Sequence, residues 1–224
     1  MTEPMDDTMI PILLGAGFII VIALVIVFAR RQASKEQDVF QRLAADFGWQ
    51  DVRPLRMIVN GIRGTWNQFP VRLMKQARQK SVPERLVLKV ELQSPGRIII
   101  TRRFGNQWWN RPMTLFGPSL VTPLALPQPE RFWVRSNEPA YVERLFSDAR
   151  MGELLDENLV ERFDRVDLGL SRLEIRRATD ESRIKKKLNR PAFEWRADPV
   201  YLETVARAEW RLASAIVEQL SLRP

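Results

Sequence analysis

Glu153, Asp156 and Glu157 stand at helical spacing and are the nearest approach in this sequence to a set of catalytic carboxylates. A general acid–base pair or a cation site needs two such groups held in different environments. These three fall on what the periodicity makes the polar face of a helix, so a solvated surface is the expected reading. Lys185 to Lys187 offer a nucleophile only if burial lowers a pKa, and three adjacent ammonium groups in a polar stretch repel one another. The chain has no cysteine and no histidine. Thiolate and Ser-His-Asp catalysis, HExxH zinc hydrolysis and Cys-based metal sites are therefore excluded.

Nucleotide signatures fail as well. "GAGFII" lacks a third glycine and lies in an apolar run, no GxxxxGK[ST] occurs, and "FGPSLV" does not make a G-x-S-x-G elbow. What remains is binding chemistry. "RRFGNQWWNRPMTLFG" carries Arg102, Arg103, Trp108, Trp109 and Arg111 with no acidic residue. Arginine and tryptophan suit protein-interface anchors and lipid headgroups, and one ring of the pair also fits a place against the sheet. Nucleic acid would need the same residue types in a basic groove. It is disfavoured by the membrane segment and by the lack of a helix-turn-helix or RNP pattern.

That segment is "MIPILLGAGFIIVIALVIVFARR", in which Ile10 to Ala29 carry no charge and match the bilayer core at about 30 Å. Residues 1–8 are acidic (Glu3, Asp6, Asp7), whereas Arg30, Arg31 and Lys35 follow the run. The expectation is an uncleaved single span at 9–31 with the short tail outside and the rest cytoplasmic, as in a bacterial inner membrane. Gly15 and Gly17 offer a close approach to another membrane helix, although without GxxxG spacing. The net charge of +8 permits an anionic partner without choosing one.

The rest reads as α+β. Val39, Phe40, Leu43, Ala44 and Phe47 predict a linker helix within 32–48, ended by Gly48, before a domain at 49–224. Residues 57–67, 69–77, 85–93 and 96–104 read as an antiparallel meander, with "QSPG" closing a hairpin between the last two. Five prolines between Pro112 and Pro129 make 105–130 a loop or a sub-boundary. A strand at 131–135 leads to a cap at Ser136 or Asn137, a helix opened by Pro139 and a second after Ser147. Strands at 167–178 and 193–197 and a long helix from Asp198 and Pro199 complete the reading.

Val134, Arg135, Ser136, Glu138, Pro139 and Leu145 form a V-R-S-x-(D/E)-P strand-to-helix motif. With the single span and the helix after it, this resembles a family of bacterial membrane-anchored proteins. That family has no assigned chemistry, so no functional residue or cofactor follows from the resemblance. The expected function is a non-catalytic accessory or scaffold subunit that meets a membrane protein complex or a partner helix. Anionic-lipid sensing and a carboxylate- or lysine-dependent enzyme are the alternatives, and the sequence leaves homo-oligomerisation open.

Overall fold

Helix α1 (Met9–Asp46) runs unbroken for 38 residues, about 57 Å at 1.5 Å per residue. The computed structural model describes residues 9–55, 60–76, 84–102, 119–121, 131–160, 164–178 and 199–221. Ten large apolar side chains of α1, from Phe18 to Phe28, are exposed. This one helix is long and apolar enough to cross a membrane. Beyond it the same helix enters the core: Val39, Phe40, Leu43 and Ala44 are buried along one stripe. The span and linker expected as two elements are thus one rod.

Its end is a Schellman motif. The Gly48 N–H donates to the Ala45 carbonyl at 3.0 Å and the Trp49 N–H to the Ala44 carbonyl at 2.8 Å. Gly48 has φ +70°, and a Cβ there would meet nothing within 4 Å. The cost of Gly48→Ala is therefore conformational alone, an expected loss of about 1–2 kcal/mol in denaturant unfolding of the detergent-solubilised chain. A change below about 0.3 kcal/mol would mean that the left-handed turn is not required.

The strands are β1 (Gln50–Pro54), β2 (Asn60–Trp66), β3 (Phe69–Gln76), β4 (Arg85–Glu91), β5 (Ile98–Arg102), β6 (Ser119–Val121), β7 (Phe132–Ser136), β8 (Arg165–Leu168) and β9 (Arg172–Ala178). All paired neighbours are antiparallel, in one sheet of order β1-β2-β3-β4-β9-β8-β5-β7-β6. The register aligns Ile62, Leu73, Leu88, Ile175, Val166, Ile100 and Val134 in a single row, each no more than 1% exposed. The period-2 alternation of each strand makes that row one continuous inner face. Helices α2 (Pro139–Leu145), α3 (Arg150–Asn158) and α4 (Pro199–Ser221) accompany the buried half of α1 in the same core.

Four expectations change. Residues 119–121, inside the proline-rich stretch expected as a loop, form the edge strand β6 beside β7. The "QSPG" turn does not make a hairpin of β4 and β5, because β9 and β8 lie between them. Leu92 and Ser94 instead donate backbone bonds to Ser171 and Leu170, and Gly96 leaves room where a Cβ would fall 2.6 Å from Glu138 Cγ. The 167–178 strand is a hairpin, turned where the Gly169 N–H donates to the Arg172 carbonyl at 2.7 Å. Leu170 at that tip is exposed and continues the apolar alternation, which hides the turn. Neither Ser136 nor Asn137 caps α2: Glu138 holds the cap position, Ser136 Oγ accepts the Glu138 N–H, and Asn137 Oδ1 accepts the Arg97 N–H. The 193–197 strand lies outside the described residues.

Candidate interaction surface

Three of the helices, α1, α3 and α4, each bring an acid to the inner side of the sheet near a basic residue. The row next to the apolar one aligns Asn60, Lys75, Leu86 and Arg177. Glu36 of α1, nearly buried, accepts Asn60 Nδ2 at 2.9 Å and Lys75 Nζ at 2.8 Å. Burial pulls the Lys75 pKa down, but the hydrogen bond and charge of Glu36, with Glu84 behind, outweigh it and raise the pKa. Asp156 of α3 stands 3.1 Å from Arg131 and 3.8 Å from Arg102. Glu209 of α4 is fully buried, and among the described residues neither of its carboxyl oxygens has a hydrogen-bond partner. Burial pushes its carboxyl well above the glutamate range; Arg177 opposes this and Asp164 adds to it.

The Glu36 and Asp156 contacts fasten α1 and α3 to the sheet. Asn158, also fully buried, donates to the Leu154 carbonyl at 2.8 Å and to the Ala208 carbonyl at 3.0 Å, joining α3 to α4. Asp164 accepts the backbone N–H groups of Val160 and Ala178. The expected carboxylate set belongs to the same scheme: Asp156 pairs with Arg131 and Arg102, Glu157 with Arg211, and Glu153 is exposed. Among the described residues no three acidic side chains converge as metal ligands.

Arg102, expected to touch a partner, ends β5 and donates to the Leu159 carbonyl at 2.8 Å, so part of its donor capacity is used inside the fold. Arg103, Trp108, Trp109, Arg111 and Lys185 to Lys187 lie outside the described residues. Arg30, Arg31 and Lys35 are exposed on α1 after the apolar stretch. Gly15 lies within α1, and Gly17 has nothing within 4 Å of where a Cβ would stand.

The outer face of the sheet, missed as a surface in the sequence, is where charge collects. The register sets Arg53, Arg63, Arg72 and Lys89 side by side across four strands, followed by Glu174 and Asp167. Strand alternation adds Arg85, Arg97, Arg135, Arg165, Arg172 and Arg176, with Glu91 as the third acid. Among the described residues, ten bases against three acids leave this face at +7. Glu174 lies within 4 Å of Arg176, Lys89 and Arg172; burial would raise its pKa, but Arg176 first, then Lys89 and Arg172, hold it below the usual carboxylate range. Burial and the like charge of Arg176 lower the pKa of Arg85.

The signal was present as basic residues at strand spacing in "DVRP", "GIRGT", "PVRLMK" and "LVLKVE". Only the register, which is a long-range property, puts them in one line. The chain matches no family model, no curated protein and no solved structure, so its function rests on what its own residues do.

Proposed function

We propose that this chain is a single-pass protein of a bacterial inner membrane, its N-terminus outside and its α+β domain cytoplasmic. In this reading it is a non-catalytic accessory or scaffold subunit of a larger membrane protein complex. The observation that carries the reading is α1 itself. Ten exposed apolar side chains and a buried core stripe share one helix, so the domain is held rigidly to its anchor. A binding module gains from that coupling because the anchor fixes which of its faces a neighbour can reach. The V-R-S-x-E-P resemblance supports the bacterial assignment, and the acidic tail before α1 with Arg30, Arg31 and Lys35 after its span supports the orientation.

An anionic-lipid reading draws on those same three exposed bases, which stand at headgroup level. Mild detergent extraction of the tagged full chain from its native membrane, with mass spectrometry of what co-purifies, separates the two. A membrane protein recovered in stoichiometric amount is the expected result. A chain that emerges alone, with anionic lipid only, would overturn the scaffold reading.

A further inference from the structure

Arg53, Arg63 and Arg72 are direct cross-strand neighbours on β1, β2 and β3. Like charges directly opposite one another destabilise a sheet. Arg72 has Glu91 at 2.7 Å as counter-ion, but among the described residues Arg53 and Arg63 have none, and both are exposed. An anion lying along the ladder would relieve that repulsion.

The position of α1 narrows the source of that anion. Glu36 bonds Asn60 at the start of β2, and Trp49 and Phe47 share a ring cluster with Trp66 at its end. Helix and strand therefore run side by side in the same direction. If α1 stands across a bilayer, β1 to β4 stand upright on it and their outer face looks sideways. Seven helical residues separate Ala29 from Glu36 and three strand residues separate Asn60 from Arg63, together about 20 Å above the hydrocarbon edge. The headgroup layer is only about 5–8 Å thick, and salt screens charge beyond about 8 Å. Lipid headgroups do not reach the ladder.

Nucleic acid fits poorly. Sheet faces that bind single strands stack bases on aromatic side chains. This row carries Lys89, Glu174, Asp167 and Ile99 across its centre and no aromatic side chain on which a base could stack. An acidic helix fits well: carboxylates at i and i+4 stand about 5–6 Å apart, close to the strand pitch of about 4.8 Å that separates the arginines.

We infer that the outer face of β1, β2 and β3, centred on Arg53 and Arg63, docks an acidic polypeptide segment of a protein held beside this one at the same membrane. The inference rests on the scaffold reading and names the chemistry of its partner. The test uses the full chain in neutral-lipid nanodiscs with a labelled polyglutamate peptide as probe. Arg53→Glu/Arg63→Glu is expected to weaken binding by about tenfold or more. The charge-matched Arg144→Glu/Arg150→Glu, on α2 and α3, should change it by less than about twofold. Arg63→Glu alone places a carboxylate between Arg53 and Arg72, so it should weaken binding while leaving the melting temperature unchanged or raised.

Equal losses in the two doubles would reduce the effect to net charge and overturn the inference. So would a DNA oligonucleotide or anionic vesicles bound more tightly than polyglutamate through the same two arginines. Co-extraction from the native membrane stays an independent readout. A partner still recovered with Arg53→Glu/Arg63→Glu would sink this docking face and leave the scaffold reading standing.

Discussion

Trp210→Ala is expected to cost about 3 kcal/mol of stability, a large share of the roughly 5–15 kcal/mol that holds a domain together. Trp210 of α4 stacks on Phe47 at a centroid distance of 4.9 Å and meets Trp66 edge-on at 4.7 Å and Trp49 at 5.5 Å. Those partners come from the end of α1, the turn after it and the end of β2. One indole therefore ties α1, α4 and the sheet together, and its loss leaves a gap that three elements must collapse into. Trp210→Phe keeps a ring on Phe47 and should recover most of the loss. Denaturant unfolding of both variants checks this. A cost below about 1 kcal/mol for the alanine variant would mean that α1 is not coupled to the domain through this cluster.

The second large effect is a pH dependence. Because burial raises the Glu209 pKa in the folded state, the native protein binds that proton more tightly than the unfolded chain does. Below about pH 4 both states are protonated and ionisation costs nothing. As pH rises, the unfolded state releases its proton first, and stability falls by up to about 1.4 kcal/mol per pH unit until the native carboxyl also ionises. Glu209→Gln keeps the shape without the proton. Its advantage over wild type should be small near pH 4 and grow as the pH rises above the ordinary glutamate range, in unfolding series at stepped pH. Parallel curves over that rise would show that Glu209 is already ionised in the fold, balanced by Arg177.

How far the sequence could be read depends on the range of each signal. The apolar run of α1, the Gly48 stop, the Pro139 opening of α2 and the strands β2, β3 and β4 are local patterns of period 3.6 or 2, and each is visible in a short window. β1 was missed because its five residues "QDVRP" carry one apolar side chain and a bulge beside Asp51 at φ 50°. The insertion of β8 and β9 between β4 and β5 has no local trace, since the turn chemistry of "QSPG" competes with a pairing some eighty residues away and loses.

The same division holds for the functional surfaces. Arg53, Arg63 and Arg72 alternate visibly in their own strands, yet they form a ladder only through the register. Glu209 was legible in principle. It sits four residues after Val205 and four before Ala213, on the buried stripe of α4, where an unpaired acid marks either strain or use.

The function proposed for this chain requires α1 to cross a membrane with the domain on its inner side. A chain without cysteine allows a direct measurement: Thr8→Cys, just before the helix, and Leu170→Cys, at the exposed β8–β9 tip, each labelled with an impermeant maleimide in intact cells and after lysis. Thr8→Cys is expected to be labelled from outside and Leu170→Cys only once the membrane is opened. Labelling of Leu170→Cys in intact cells would reverse the orientation. Protection of both sites together with release of the protein by alkaline carbonate would contradict a spanning helix altogether.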